Sequence, residues 1–245
     1  VLHHGSYKTF DDMDRLDPYN TVHKTFNGSP ALYKKDYVDR LIERMAVAYD
    51  KKYVTQSLKQ MGYEVIEINP SEITKEKLAY FDVLITGIRA YNTVKELKFK
   101  QEILFDFVNE GKTMIVQYNT TDELVTKNIA PFPLKISRDR VTEENAEIRF
   151  LAPEHPVLNY PNKITPKDFE GWSQEQGLYY PNEFDTAFTP ILSSNDKGET
   201  PKNGALLIAK YGKGHYIYTG LSFFRELPEG VSGAYRLISN LISLK

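Results

Sequence analysis

Two apolar runs, ALLIAK (205–210) and HYIYTG (215–220), flank a Gly212-Lys213-Gly214 turn, and this arrangement limits the fold more than any other part of the chain. Runs of this length around a glycine turn predict two adjacent core strands of a β-hairpin. The turn itself is half of a dinucleotide fingerprint, but it precedes a strand and opens no helix, so it reads as a turn alone. The second run ends in a polar and aromatic cluster, Ser222, Phe224 and Arg225, which is where a site beyond the strand end would draw its side chains.

Upstream, strands and helices alternate. Met45 to Tyr49 is a short strand candidate, followed by a helix with Val54, Leu58 and Met61 on one face and Gly62 as its cap. Glu64 to Ile68 and Val83 to Thr86 read as strands with helix-forming residues 74–80 between them. A helix from Thr93 to Asn109 follows, with Leu97, Leu104 and Val108 inward, and then a strand from Thr113 to Gln117. This rhythm predicts a mostly parallel sheet covered on both faces. Ile148 to Leu151 reads as a strand, 153–201 as a Pro-punctuated region, and Gly233 to Ser243 as a closing helix. Residues 1–44 lack periodic apolar runs and read as an irregular arm or the remnant of a preceding domain; 45–245 form the α/β domain.

Composition narrows the function classes. A formal net charge of −2 lacks the basic footprint of nucleic-acid binding. No apolar run approaches the roughly 20 residues that a bilayer span requires. With no cysteine, disulfides, thiolate metal sites and Cys nucleophiles are excluded. The five histidines (His3, His4, His23, His155, His215) include no HExxH and no i, i+4 pair, and Asp12, Asp14 and Asp17 lack the glycine and distal glutamate of a calcium loop. Tyrosine is abundant, 17 residues against one tryptophan; its flat apolar face and hydroxyl suit sugars and wet interfaces as well as strands.

Ligands of open α/β sheets bind beyond the carboxyl ends of strands. Two such ends carry polar clusters here: Arg89, Tyr91 and Asn92 after the strand at 83–86, and Tyr118 and Asn119 after the strand at 113–117. Neither offers a serine or cysteine at an elbow, so ligand binding and helix capping both remain open. Arg138 and Arg140, two residues apart, could clamp an anion from one face of an extended segment or belong to a solvated, ion-paired loop. Asp168, Glu170, Trp172, Gln174 and Glu175 place carboxylates beside an aromatic platform, suited to a glycoside, while a tryptophan that simply packs a loop is the commoner outcome.

The segments EHPVLNYPNKIT (154–165), GWSQEQGLYY (171–180) and YGKGHYIYTGLSFFRELPEGVSGAYRLISNLISL (211–244) resemble the domain at the C-terminal end of large bacterial LmbE/PIG-L family proteins. GIRAYNT (87–93), VQYNT (116–120) and LKISRDRVT (134–142) extend the likeness over residues 45–244. That resemblance implies an α/β, flavodoxin-like, class I glutamine amidotransferase-like three-layer sandwich, distantly similar to ThuA-like proteins of sugar utilisation, in a periplasmic or secreted setting. Two departures matter. The amidotransferase triad needs a cysteine this chain lacks, and the deacetylase His-Pro-Asp-Asp signature fails where His155-Pro156 continues as Val157-Leu158.

The expectation is therefore a non-catalytic accessory domain, with no cofactor, no metal and no catalytic residue. It would bind a glycan, an amino-sugar or an upstream deacetylase domain through Arg89, Tyr91, Asn92, Tyr118, Asn119, Arg138, Arg140, Trp172, Gln174, Glu175 and Arg225. A carboxylate-dependent hydrolase using Glu175 or Asp168, and a purely structural oligomerisation domain, are the alternatives.

Overall fold

The structure, a computed structural model, describes residues 54–244. The arm at 1–44, the strand candidate at 45–49, and His3, His4, His23, Asp12, Asp14 and Asp17 lie outside the described residues. Helix α1 (54–60) is followed by irregular backbone over 63–69, then a 3-10 turn (Pro70–Glu72) and the short α2 (Lys75–Leu78). Strand β1 (Val83–Thr86), α3 (Ala90–Thr93), a 3-10 segment (Lys95–Phe99), α4 (Gln101–Asn109) and β2 (Thr113–Gln117) complete the first half. The second half holds β3 (Leu134–Val141), β4 (Arg149–Phe150), β5 (Gly177–Phe184), β6 (Phe188–Ser194), β7 (Lys202–Tyr211), β8 (Gly214–Thr219), α5 (Phe223–Glu226) and α6 (Ser232–Ile242).

Six strands form one sheet in the order β1-β2-β8-β7-β6-β4, and β3 pairs with β5 in a second, two-stranded sheet. Only β1/β2 and β2/β8 are parallel; β8/β7, β7/β6, β6/β4 and β3/β5 are antiparallel. The sheet is thus mixed. This overturns the expected mostly parallel, flavodoxin-like or amidotransferase-like sandwich. The cause is local: short links join β6 to β7 and β7 to β8, and short links reverse a strand where parallel pairing needs a long crossover. The β7–β8 hairpin does form as expected, with Tyr211 opposite Gly214. Gly212 takes φ +58°, and a Cβ there would lie 2.6 Å from the Asn109 carbonyl oxygen, so the turn needs glycine.

One further expectation fails on packing grounds, and one region without assigned elements acquires strands. Glu64 to Ile68 pairs with no strand: Val65 and Ile68 pack against the core, but Ile66 stays exposed. Strands β5 and β6 emerge from the Pro-punctuated region because Pro181 and Pro190 both sit at register shifts, where a missing N–H does least harm.

Alternating side chains of the large sheet separate two cores. Ile115, Leu206, Ile208 and Ile217 face one side with Leu58, Trp172, Phe223, Leu237 and Leu241. Met114, Val116, Leu207, Ala209, Tyr216 and Tyr218 face the other with Leu104, Phe107 and Val108. Near-continuous burial of β2 and β8 follows from this two-sided coverage. The small sheet approaches the large one closely at Gly204, where a Cβ would lie 2.0 Å from the Pro181 carbonyl oxygen. That contact brings β3 and the start of β5 alongside the carboxyl ends of the parallel strands.

Candidate functional site

The three parallel strands β1, β2 and β8 point their carboxyl ends the same way, and the segments leaving them interlock. Asn119 is fully buried; its Oδ1 accepts from the Tyr91 amide at 2.8 Å and its Nδ2 donates to the Gln117 carbonyl at 2.9 Å. Asn92 donates to the Thr120 and Asp122 carbonyls and accepts from the Thr120 amide at 2.9 Å. The Arg89 amide donates to the Tyr118 carbonyl at 2.8 Å. These amides therefore spend their polar atoms joining two loops, as buried polar groups must. Tyr91 is buried beneath them, and burial pushes its phenol up to about 12.

The loops so held place Asp122 at a cleft of about 370 Å³ lined by Asp122, Arg138, Arg140, Leu178 and Tyr179, with Tyr118 buried behind Tyr179. The Tyr118 and Tyr179 rings stack, with centroids 6.0 Å apart and planes 9° from parallel, and Tyr118 also packs on Phe224 at 5.2 Å. Tyr218, buried on β8, braces this wall by donating to the Tyr179 carbonyl at 3.2 Å while accepting from the Asn119 amide at 3.4 Å.

Charge is arranged behind and beside the aromatic wall. Glu175 is 2% exposed. Its Oε1 accepts from Arg225 Nη2 at 2.9 Å and its Oε2 from Arg140 Nη2 at 2.5 Å. Arg225 also donates to the Gln174 side chain and lies over the Phe224 ring, 4.9 Å from its centroid. Arg138 Nη2 reaches both Asp122 carboxylate oxygens, at 3.0 and 3.2 Å. Beneath this layer, Glu226 accepts from the Ser173 amide at 2.9 Å and sits 3.1 Å from the Ser222 hydroxyl. Burial raises the Glu226 carboxyl to about 7, against hydrogen bonds from Ser173 and Ser222 and the charge of Arg225.

Backbone strain gathers at the same place. The non-glycine residues with left-handed φ among the described residues are Arg89 (53°), Glu123 (58°), Gln174 (67°) and Tyr179 (54°). Tyr179 lines the cleft and Glu123 follows Asp122, which also lines it; the Arg89 amide meets the Tyr118 carbonyl and the Gln174 side chain meets Arg225, both a step behind the cleft wall. A left-handed β-carbon costs on the order of 1 kcal/mol or more per residue, and such costs persist mainly where geometry serves a ligand.

Of the residues singled out in the sequence, Tyr118, Arg138, Arg140, Gln174, Glu175 and Arg225 come together here, with Arg89, Tyr91, Asn92 and Asn119 bracing them. Trp172 does not join them. It is 2% exposed in the core between Phe169 and Phe223, and its indole N–H donates to the Asp168 carbonyl at 2.9 Å. Asp168 is also occupied: one oxygen meets Arg236 at 2.7 Å and the other caps Thr165. Asp122, Tyr179, Tyr218 and Glu226 went unnoticed in the sequence; only the adjacent Tyr179-Tyr180 pair hinted at a ring turned out of its strand. No group of metal-ligating side chains occurs among the described residues, and none of their helices is long and apolar enough to cross a membrane.

No protein-family model and no curated protein matches the chain. Among solved structures, two cytoplasmic proteins from Salmonella typhimurium are similar, each at a TM-score of 0.52 and 14% identity. One aligns over 78% of this chain and 84% of its own, the other over 79% and 86%. At that identity the likeness is one of fold alone. A β-galactosidase from Rahnella sp. R3 aligns over 82% of this chain and 27% of its own at 15% identity, with a TM-score of 0.48, a level at which no common fold is read.

Proposed function

We propose that this chain is a non-catalytic, glycan-binding accessory domain of an N-deacetylase of the LmbE/PIG-L type. The observation that carries the binding role is one cleft in which Tyr179, held in left-handed backbone and stacked on Tyr118, stands beside the guanidinium groups of Arg138 and Arg140. A tyrosine face takes the apolar side of a sugar ring, and fixed N–H donors take its oxygens. The accessory role is supported by the resemblance in sequence. GWSQEQGLYY supplies Gln174, Glu175 and Tyr179, and the C-terminal segment supplies Phe224 and Arg225, so the segments that carry the resemblance meet at the cleft. The carboxylates a hydrolase would use, Glu175 and Asp168, are both held by arginines.

Calorimetric titration of the chain with a panel of short neutral, acidic and amino-sugar oligosaccharides tests this reading. Saturable heat that Tyr179→Ala abolishes is the expected result. Silence across the panel overturns it, and turnover of a glycoside by the chain alone would replace it with the hydrolase.

A further inference from the structure

Resting on that reading, we infer that the cleft selects glycans bearing an acid group, a carboxylate or a sulfate, over neutral or amino-sugar chains. The charged side chains lining it are two guanidinium groups, Arg138 and Arg140, against one carboxylate, Asp122. Glu175, behind them, is already matched by Arg225 at 2.9 Å, so Arg140 is not needed to neutralise it.

Arg140 donates through Nη2 alone and is 55% exposed; its Nε and Nη1 make no hydrogen bond to a described residue. Arg138, 74% exposed, reaches Asp122 and Thr121 through Nη2 and Nε, which leaves Nη1. Free N–H groups on planar guanidiniums fit the oxygens of a carboxylate or sulfate, and charge-assisted bonds of this kind are about twice as strong as neutral ones. Asp122 acts as a removable partner: an exposed ion pair is worth little, so an incoming acid group can displace it at small cost. Tyr179, facing the same cleft, then contacts the ring that carries the acid group. A cationic amino-sugar would meet two arginines without gaining a new carboxylate.

The test measures affinity for four hexasaccharides: an oligogalacturonate, a sulfated oligosaccharide, a neutral β-glucan and a fully deacetylated chitosan, with polyglutamate as a polyanion without sugar. The acid-bearing chains should bind at least about tenfold tighter than the neutral one and lose affinity as salt rises. Galacturonate and sulfate, compared with each other, identify the acid group. Arg138→Gln should weaken acidic binding about fivefold or more, and by a larger factor than it weakens neutral binding, while leaving the thermal unfolding midpoint unchanged. Equal affinity for acidic and neutral chains overturns this inference and leaves the glycan-binding function standing. Polyglutamate binding as tightly as galacturonate also overturns it, since charge alone would then suffice. If no oligosaccharide binds, both fail.

Discussion

Arg225 and Glu175, fifty positions apart in the chain, meet at 2.9 Å beneath the cleft, joining the helix that follows β8 to the segment that leads into β5. Glu175 is almost wholly buried, whereas the side chains of Arg225 and Arg140 are 29% and 55% exposed. The two arginines are therefore unequal partners: Arg225 gives up more water to make its contact.

Removing one member of a buried pair leaves the other without compensation. Glu175→Ala should destabilise the fold by about 3 kcal/mol, and Arg225→Ala by less, about 2 kcal/mol, because Arg140 still meets the carboxylate. Arg140→Ala, at the exposed end, should cost about 1 kcal/mol or less. Urea denaturation midpoints check the order; equal losses for the two arginines would contradict it.

Glu226 makes stability depend on pH. Its carboxyl is raised from an ordinary value of 4.5 to about 7, so between those values the folded state binds more protons than the unfolded one. Stability from this group is full below about pH 4.5, falls as pH rises toward 7 and is level above. The span is no more than about 3 kcal/mol. Glu226→Gln should flatten the slope between pH 5 and 7.5 without loss of stability at pH 8, as measured by denaturation at each pH.

Asn119 and Tyr91 are both fully buried, so the hydrogen bond between the Asn119 side chain and the Tyr91 amide lies away from the surface. Asn119→Ala should cost about 2 kcal/mol by orphaning that donor. It should also weaken glycan binding, because the loop that carries Asp122 is anchored through the same junction. Retention of full affinity in a folded N119A protein would separate the junction from the site.

Glu123 carries a left-handed backbone on an exposed position. Glu123→Gly removes the strain of its β-carbon and adds freedom to the unfolded chain, two opposing terms. The strain is the larger, so the variant should unfold at a higher denaturant concentration, by up to about 1 kcal/mol.

Much of the secondary structure was legible in local pattern. Val83 to Thr86, Thr113 to Gln117, the 205–220 hairpin and the last helix all lie close to where periodicity places them. The expected long helix over 93–109 breaks into a 3-10 segment and α4, yet Leu97, Leu104 and Val108 are buried as its spacing implies. The site was legible in part: Arg138 and Arg140 stood out as guanidinium groups two residues apart, and Glu175 and Arg225 as charges beside aromatics. Asp122, Tyr179 and Glu226 did not, because each owes its role to a partner distant in sequence or to a backbone angle.

By itself, then, the sequence determined the strands at 83–86 and 113–117, the 205–220 hairpin, the closing helix and the absence of thiol chemistry, because these depend on residue type and on contacts within a few positions. Tertiary structure alone decided the direction of strand pairing and the separation of Trp172 from the cleft. It also decided the meeting of Arg140, Glu175 and Arg225. Those outcomes depend on which surfaces are buried against each other, and burial couples residues that no local period connects.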